Sequence, residues 1–197
     1  MNFSGRELRD LLVAWLALGL AFSLLYVPVS ATNLTEVLAS AAFLEEFALS
    51  LATVGVAFLL HELAHKVVAV KFGQHAEFRA DFGMLALAVA GGLAGFLFAA
   101  PGAVHHRGRI TPREHGLIAL AGPLTNVALA VLSLGVMLTV APNVGWRGLF
   151  INVLLAGFNM IPFGPLDGAT VLEWSKPAYA AAAVVTIGPA LLFLFVI

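Results

Sequence analysis

Apolar stretches close to the roughly 20 residues that a bilayer-crossing helix needs recur along this chain, and they leave little else from which to build a fold. Of 197 residues, 61% are hydrophobic and only 11% charged. That composition predicts an all-α polytopic membrane protein of about five to six transmembrane helices. Once the spans are subtracted, no stretch reaches the ~50 residues that a soluble domain usually needs, so a single membrane domain over residues 1–197 is expected. A net charge of −1 offers no basic face for nucleic acid. With no cysteine, the chain has neither disulfides nor thiolate ligands, and any bound metal falls to His, Asp or Glu.

The first span reads from Leu8 to Val29, with Arg6 and Arg9 before it and Pro28 and the polar Ser30-Ala31-Thr32-Asn33 linker after it. Val29-Ser30-Ala31 also fits a signal-peptidase site, although the apolar core Leu11–Val27 is long for a signal sequence. A second apolar run, Phe43 to Val70, follows an acidic linker carrying Glu36, Glu45 and Glu46 and precedes the charges Lys66, Lys71 and Arg79. Basic residues favour the cytoplasmic side, which predicts a cytoplasmic N-terminus in the cell membrane. Gly73 is the expected C-cap of the second helix.

Gly83 to Ala103 is apolar enough to span, yet it holds Gly91-Gly92, Gly95 and Pro101-Gly102. It also has basic flanks on both sides, Arg79 before it and Arg107, Arg109 and Arg113 after it. Matched flanks suit a re-entrant or short β element better than a crossing. Leu117 to Val140 is the next span and opens with Ala121-Gly122-Pro123-Leu124-Thr125-Asn126, where small residues permit close helix approach and Asn126 can bond across helices. Leu149 onward returns to the membrane, and Tyr179 to Ile197 forms a last apolar helix.

Inside the second apolar run lies His61-Glu62-Leu63-Ala64-His65. Residues four apart share a helix face, so the two imidazoles can bind one zinc ion while Glu62 stands beside it. Zinc lowers the pKa of a water from ~15.7 to about 7, and a neighbouring carboxylate can then take its proton as it attacks a carbonyl carbon. Ionisable groups at membrane depth are costly enough that they usually mark function. Hydrolysis of a peptide bond is the reaction this set suits.

A second interruption of the apolar pattern, Phe158-Asn159-Met160-Ile161-Pro162-Phe163-Gly164-Pro165-Leu166-Asp167-Gly168, holds one carboxylate. Proline removes backbone donors and frees carbonyls nearby, so the segment is expected to unwind beside a polar cavity screened from lipid. Two readings of Asp167 stand: third ligand of a zinc ion that keeps one open position, or N-cap of a helix starting near Gly168. His61, His65 and Asp167 can meet at one depth if Gly83–Ala103 re-enters rather than crosses. His75, His105, His106 and His115 fall in polar loops and are given no catalytic part.

In order along the chain, the HExxH helix at His61–His65 and the NxxPxxPLDG segment at Asn159–Gly168 resemble the site-2 protease family of intramembrane zinc proteases. Gly122-Pro123 with Asn126 is similar to its GPxxN element. The resemblance covers a core of about residues 54–168, with flanking helices at 8–29 and 179–197. It implies one zinc per chain on His61, His65 and Asp167, with Glu62 as general base and Asn159 at the substrate backbone or oxyanion. It also implies a transmembrane-segment protein as substrate; the composition already calls for a lipid bilayer as surroundings, and the basic flanks put the active site toward the cytoplasm. No insertion has the length of the family's PDZ or nucleotide-sensing domains. From other classes, a metal-handling transporter and a catalytically silent membrane-protein binder compete with this reading. A transporter is disfavoured by the lack of an internal repeat.

Overall fold

A computed structural model describes residues 2–27, 29, 33–96 and 101–195; the possible cleavage site at Val29-Ser30-Ala31, most of the linker after the first span, and residues 196–197 of the last helix therefore lie outside the described residues in whole or part. The chain forms two compact units, one of residues 2–59 with 78–103, the other of residues 60–77 with Val104 onward.

In the first unit, helix α1 (Gly5–Tyr26) begins where the Ser4 side chain accepts the Glu7 N–H at 3.1 Å, a turn earlier than the apolar pattern suggests. It ends at Val27, which precedes a proline and is held in extended backbone. A short α2 (Leu34–Leu38) leads to α3 (Ala41–Ser50), a π-helical turn (Leu51–Gly55) and α4 (Val56–Lys71), one continuous rod of 31 residues. The wider π turn offers the Leu51 carbonyl to the Trp15 indole N–H at 3.0 Å, and Gly55 leaves room for that ring, which an added Cβ would strike.

The second half of strand β1 (His75–Ala80) also belongs to this unit. Its Phe78 N–H donates to the Glu7 carboxylate at 3.0 Å, Asp10 accepts from the Ala80 backbone, and both carboxylates are buried. Asp81 caps α5 (Phe82–Leu93), accepting the Met84 N–H at 3.0 Å, while its own N–H donates to the Pro101 carbonyl at 3.1 Å. The excursion between residues 81 and 101 thus returns to its starting point. A helix of 12 residues is only ~18 Å long, short of the ~30 Å hydrocarbon core. The stretch expected to be a re-entrant or short β element thus holds a 12-residue helix and ends at the start of β2 (Gly102–Arg107), with residues 97–100 outside the described residues.

In the second unit, α4 closes at Gly73, whose φ of 75° supplies the left-handed C-cap expected of it. Lys66, counted among the charges following the second span, is instead a buried side chain within α4, so the orientation argument rests on Lys71 and Arg79. Strands β1 and β2 (Gly102–Arg107) pair as a two-stranded sheet. Gln74 lies against Gly108 at one end and Ala80 against Gly102 at the other, so the strands run antiparallel. Helix α6 (Pro112–Thr139) starts from a capping box between Thr111 and Glu114 with Pro112 at its first position, again a turn before the apolar pattern.

Helices α7 (Pro142–Asn159), α8 (Asp167–Trp174) and α9 (Lys176–Phe195) complete this unit around Ala119, Met160, Val171 and Ala182. Small residues set the spacing: Gly145 lies on the Met137 backbone, and Gly157 on Ala190 and the Thr186 carbonyl. Among the described residues, α1, the α3–α4 rod, α6 and α9 are long and apolar enough to cross a membrane. The expected count of about five to six would also need α5, which is too short, or α7, whose apolar character is diluted by Asn143, Arg147, Asn152 and Asn159.

Candidate metal centre

One turn of α4 puts the imidazoles of His61 and His65 side by side, with Nε2 atoms 3.0 Å apart. Asp167 arrives from the other end of the second unit. After Asn159 the chain unwinds through Pro162, Gly164 and Pro165 and restarts at α8, as the two prolines predict. Gly168 is packed so tightly on the Met160 carbonyl that any Cβ would collide with it, and this contact folds the start of α8 back on the end of α7. Leu166, not Asp167, occupies the N-cap position, so capping does not explain Asp167. Its Oδ2 instead lies 3.3 Å from His61 Nε2 and 3.4 Å from His65 Nε2.

Hydrogen bonds on the far side of each ring fix which nitrogen carries the proton. His65 Nδ1 is 2.7 Å from the Ile118 carbonyl, which can only accept, so Nδ1 carries the proton and Nε2 a bare lone pair. His61 Nδ1 is 2.6 Å from Asn126 Oδ1 and is placed the same way. Asp167 Oδ2 is buried and has no hydrogen-bond partner among the described residues. Three acceptor atoms therefore face one another, an arrangement that repels itself unless a cation sits among them.

Gly122 of α6 keeps the space for that cation. A Cβ there would stand 2.5 Å from His61 Nε2 and closer still to His65 Nε2, filling the cradle. Two imidazole nitrogens and one carboxylate oxygen with a fourth position open make a donor set that suits catalytic zinc, and the residues fit it. Glu62, also buried, is held beside the centre by the Val104 N–H, which donates to its Oε2 at 3.1 Å.

The structure thus brings together His61, His65 and Asp167, with Glu62 next to them. Asn159 ends α7, partly buried, and its amide donates to the Leu155 carbonyl of its own helix at 3.0 Å. Asn126 bonds across helices, as its place among small residues suggests. Sequence reasoning missed Ile118 and Val104, because both act through the backbone and leave no signal in residue type. It also missed why position 122 is glycine. The histidines expected in polar loops lie instead in β1 (His75), β2 (His105 and His106) and α6 (His115), because the strand pair and the early cap at Thr111 take up those polar stretches. His106 and His115 have ring centroids 5.3 Å apart, and burial together with the neighbouring His115 lowers the His106 pKa from its ordinary value.

A His-His-Asp set with an adjacent carboxylate, its histidines buried on a helix apolar enough to cross a bilayer, is the constellation of a zinc hydrolase. The comparison with known proteins agrees. The chain is 41% identical over 201 residues to "Putative zinc metalloprotease MJ0611" of Methanocaldococcus jannaschii, covering 98% of this chain and 97% of that protein. It is 32% identical over 148 residues to "Putative zinc metalloprotease YwhC" of Bacillus subtilis, covering 61% of this chain and 66% of the relative. With "Putative zinc metalloprotease Rip3" of Mycobacterium tuberculosis it shares 32% identity over 123 residues, 58% of this chain and 28% of that protein. The chain belongs to this family of zinc metalloproteases. No protein-family model matches it, and no solved structure gives a significant match.

Proposed function

We propose that this protein is an intramembrane zinc endopeptidase of the site-2 protease type, cutting peptide bonds within or near the transmembrane segments of membrane-protein substrates in regulated intramembrane proteolysis. The observation that carries the reading is the orphaned Asp167 Oδ2 facing two bare imidazole nitrogens, buried among helices that can span a bilayer.

Zinc, when bound by His61, His65 and Asp167, supplies Lewis acidity that makes water nucleophilic near neutral pH. Glu62 takes the proton from the attacking water and returns it to the departing amide nitrogen. Val104 orients the carboxylate for both transfers. Asn159 steadies the developing oxyanion or the substrate backbone once its amide turns from the Leu155 carbonyl. A substrate helix hides its carbonyls in its own hydrogen bonds, so it must unwind before it is cut. The protein lies in the cell membrane with its N-terminus and active site toward the cytoplasm, an orientation supported by Lys71 and Arg79 and by the return of residues 81–101 to one point.

The test is zinc content together with cleavage of a model transmembrane substrate in detergent, for wild type, Glu62→Gln and Asp167→Ala. One zinc per chain in wild type and in Glu62→Gln, with cleavage lost in both variants, supports the reading. Zinc bound with cleavage indifferent to Glu62 would sink it.

A further inference from the structure

Asn152 stands in the middle of α7, only 4% exposed, and the proposed chemistry gives it no part. Its Oδ1 accepts from Asn126 Nδ2 at 2.8 Å, and its Nδ2 donates to the Gly148 carbonyl one turn back at 2.8 Å. Asn126, fully buried, in turn presents Oδ1 to His61 Nδ1. Two asparagines alone would not decide which end faces the histidine, because each amide can flip and exchange donor for acceptor.

The Gly148 carbonyl removes that freedom. A backbone oxygen accepts only, so Asn152 must turn its NH2 toward it and its oxygen toward Asn126. Asn126 must then give its NH2 to Asn152 and its oxygen to His61. The histidine is left with its proton on Nδ1 and a bare lone pair on Nε2, the form a metal requires. His65 reaches the same state by one step, through the Ile118 carbonyl.

We infer that Asn152 is a positioning residue of the metal centre: anchored on Gly148, it acts through Asn126 to hold His61 in the Nδ1–H form. It touches neither metal nor substrate. The inference rests on the zinc site described above but not on proteolysis, so its test reads metal affinity and proton position instead of cleavage. Simple packing by Asn152 would affect stability without selecting one histidine over the other.

The experiment uses the full chain in detergent with 15N-labelled histidine, measuring zinc affinity by chelator competition and ring protonation by NMR. Asn152→Leu is expected to weaken zinc binding about tenfold or more and to disturb the His61 Nδ1–H signal while that of His65 stays. Asn152→Thr should restore most of the affinity. A threonine hydroxyl can donate one turn back, as Thr125 does to Ala121 and Thr186 to Ala182 at 2.8 Å, and still accept from Asn126. Wild-type zinc affinity and an unchanged His61 signal in folded Asn152→Leu would overturn the inference, as would equal weakening in both variants. Should Asn152→Leu not fold, the wild-type zinc-free spectrum decides: a His61 proton absent from Nδ1 refutes it, and one present there upholds it.

Discussion

The Val104 N–H donates to Glu62 Oε2 at 3.1 Å, so a strand residue steers the carboxylate proposed as the base. That N–H points away from β1, and Val104→Pro removes it without breaking the pairing between the strands. Cleavage should fall about tenfold to a hundredfold, the worth of a hydrogen bond to a charged group, while zinc content holds. Zinc analysis beside a cleavage assay checks this; loss of zinc would mean that Val104 supports the ligands instead.

Gly122→Ala places a methyl group against His61 Nε2 and His65 Nε2, where the proposed zinc would sit. Alanine favours a helix interior, so α6 should persist and circular dichroism remain unchanged. Zinc content should drop well below one per chain and cleavage with it. Full zinc occupancy in this variant would show that the cradle widens freely.

Because three acceptors converge without a donor, removing the metal should destabilise the protein. If working zinc stands at about a thousand times its dissociation constant, chelation costs about 4 kcal/mol. Asp167→Asn supplies an NH2 donor to the bare imidazole nitrogens, so its melting temperature should be indifferent to chelator. Thermal unfolding with and without chelator separates the two cases.

Gly168→Ala drives a Cβ into the Met160 carbonyl. Such overpacking typically costs 1–3 kcal/mol, roughly, and here it also displaces Asp167. Both melting temperature and zinc affinity should fall, whereas Gly135→Ala, in the interior of α6 with nothing nearby, should lower neither.

His106 is held below its ordinary pKa of 6.5, by burial first and then by the charge of His115. Between the folded value and 6.5 the unfolded chain binds more protons, so this contribution to stability is complete above pH 6.5 and fades as the pH falls through the folded value. Histidine NMR should show His106 titrating low, and His115→Gln should bring it part of the way back. A shift that ignores His115 would leave burial, with His65 and His105, as its cause.

The residues of the candidate metal centre were legible in the sequence because each is a costly exception to its surroundings. His61, Glu62 and His65 interrupt an apolar helix, and Asp167 ends a segment that two prolines unwind. Other features were hidden because tertiary contact, not residue type, defines them. Ile118 and Val104 act through backbone groups that every residue carries. Asn152 was visible only as a polar residue in an apolar helix, and its direction depends on the Gly148 carbonyl. Lys66 read as a boundary charge, yet α4 runs past it and buries it. Helix starts were read a turn late because Ser4 and Thr111 cap outside the apolar pattern.

The bond from Phe78 to Glu7 bears on how the chain tolerates changes of length. N–H groups point to one side of a strand only at every second residue, and the Phe78 ring, buried against Phe58 with centroids 5.7 Å apart, follows the same alternation. One residue inserted or deleted within His75–Phe78 would turn that ring outward and carry the donor away from the carboxylate at once. The less buried side chains of this strand can vary in kind, but its count of residues cannot.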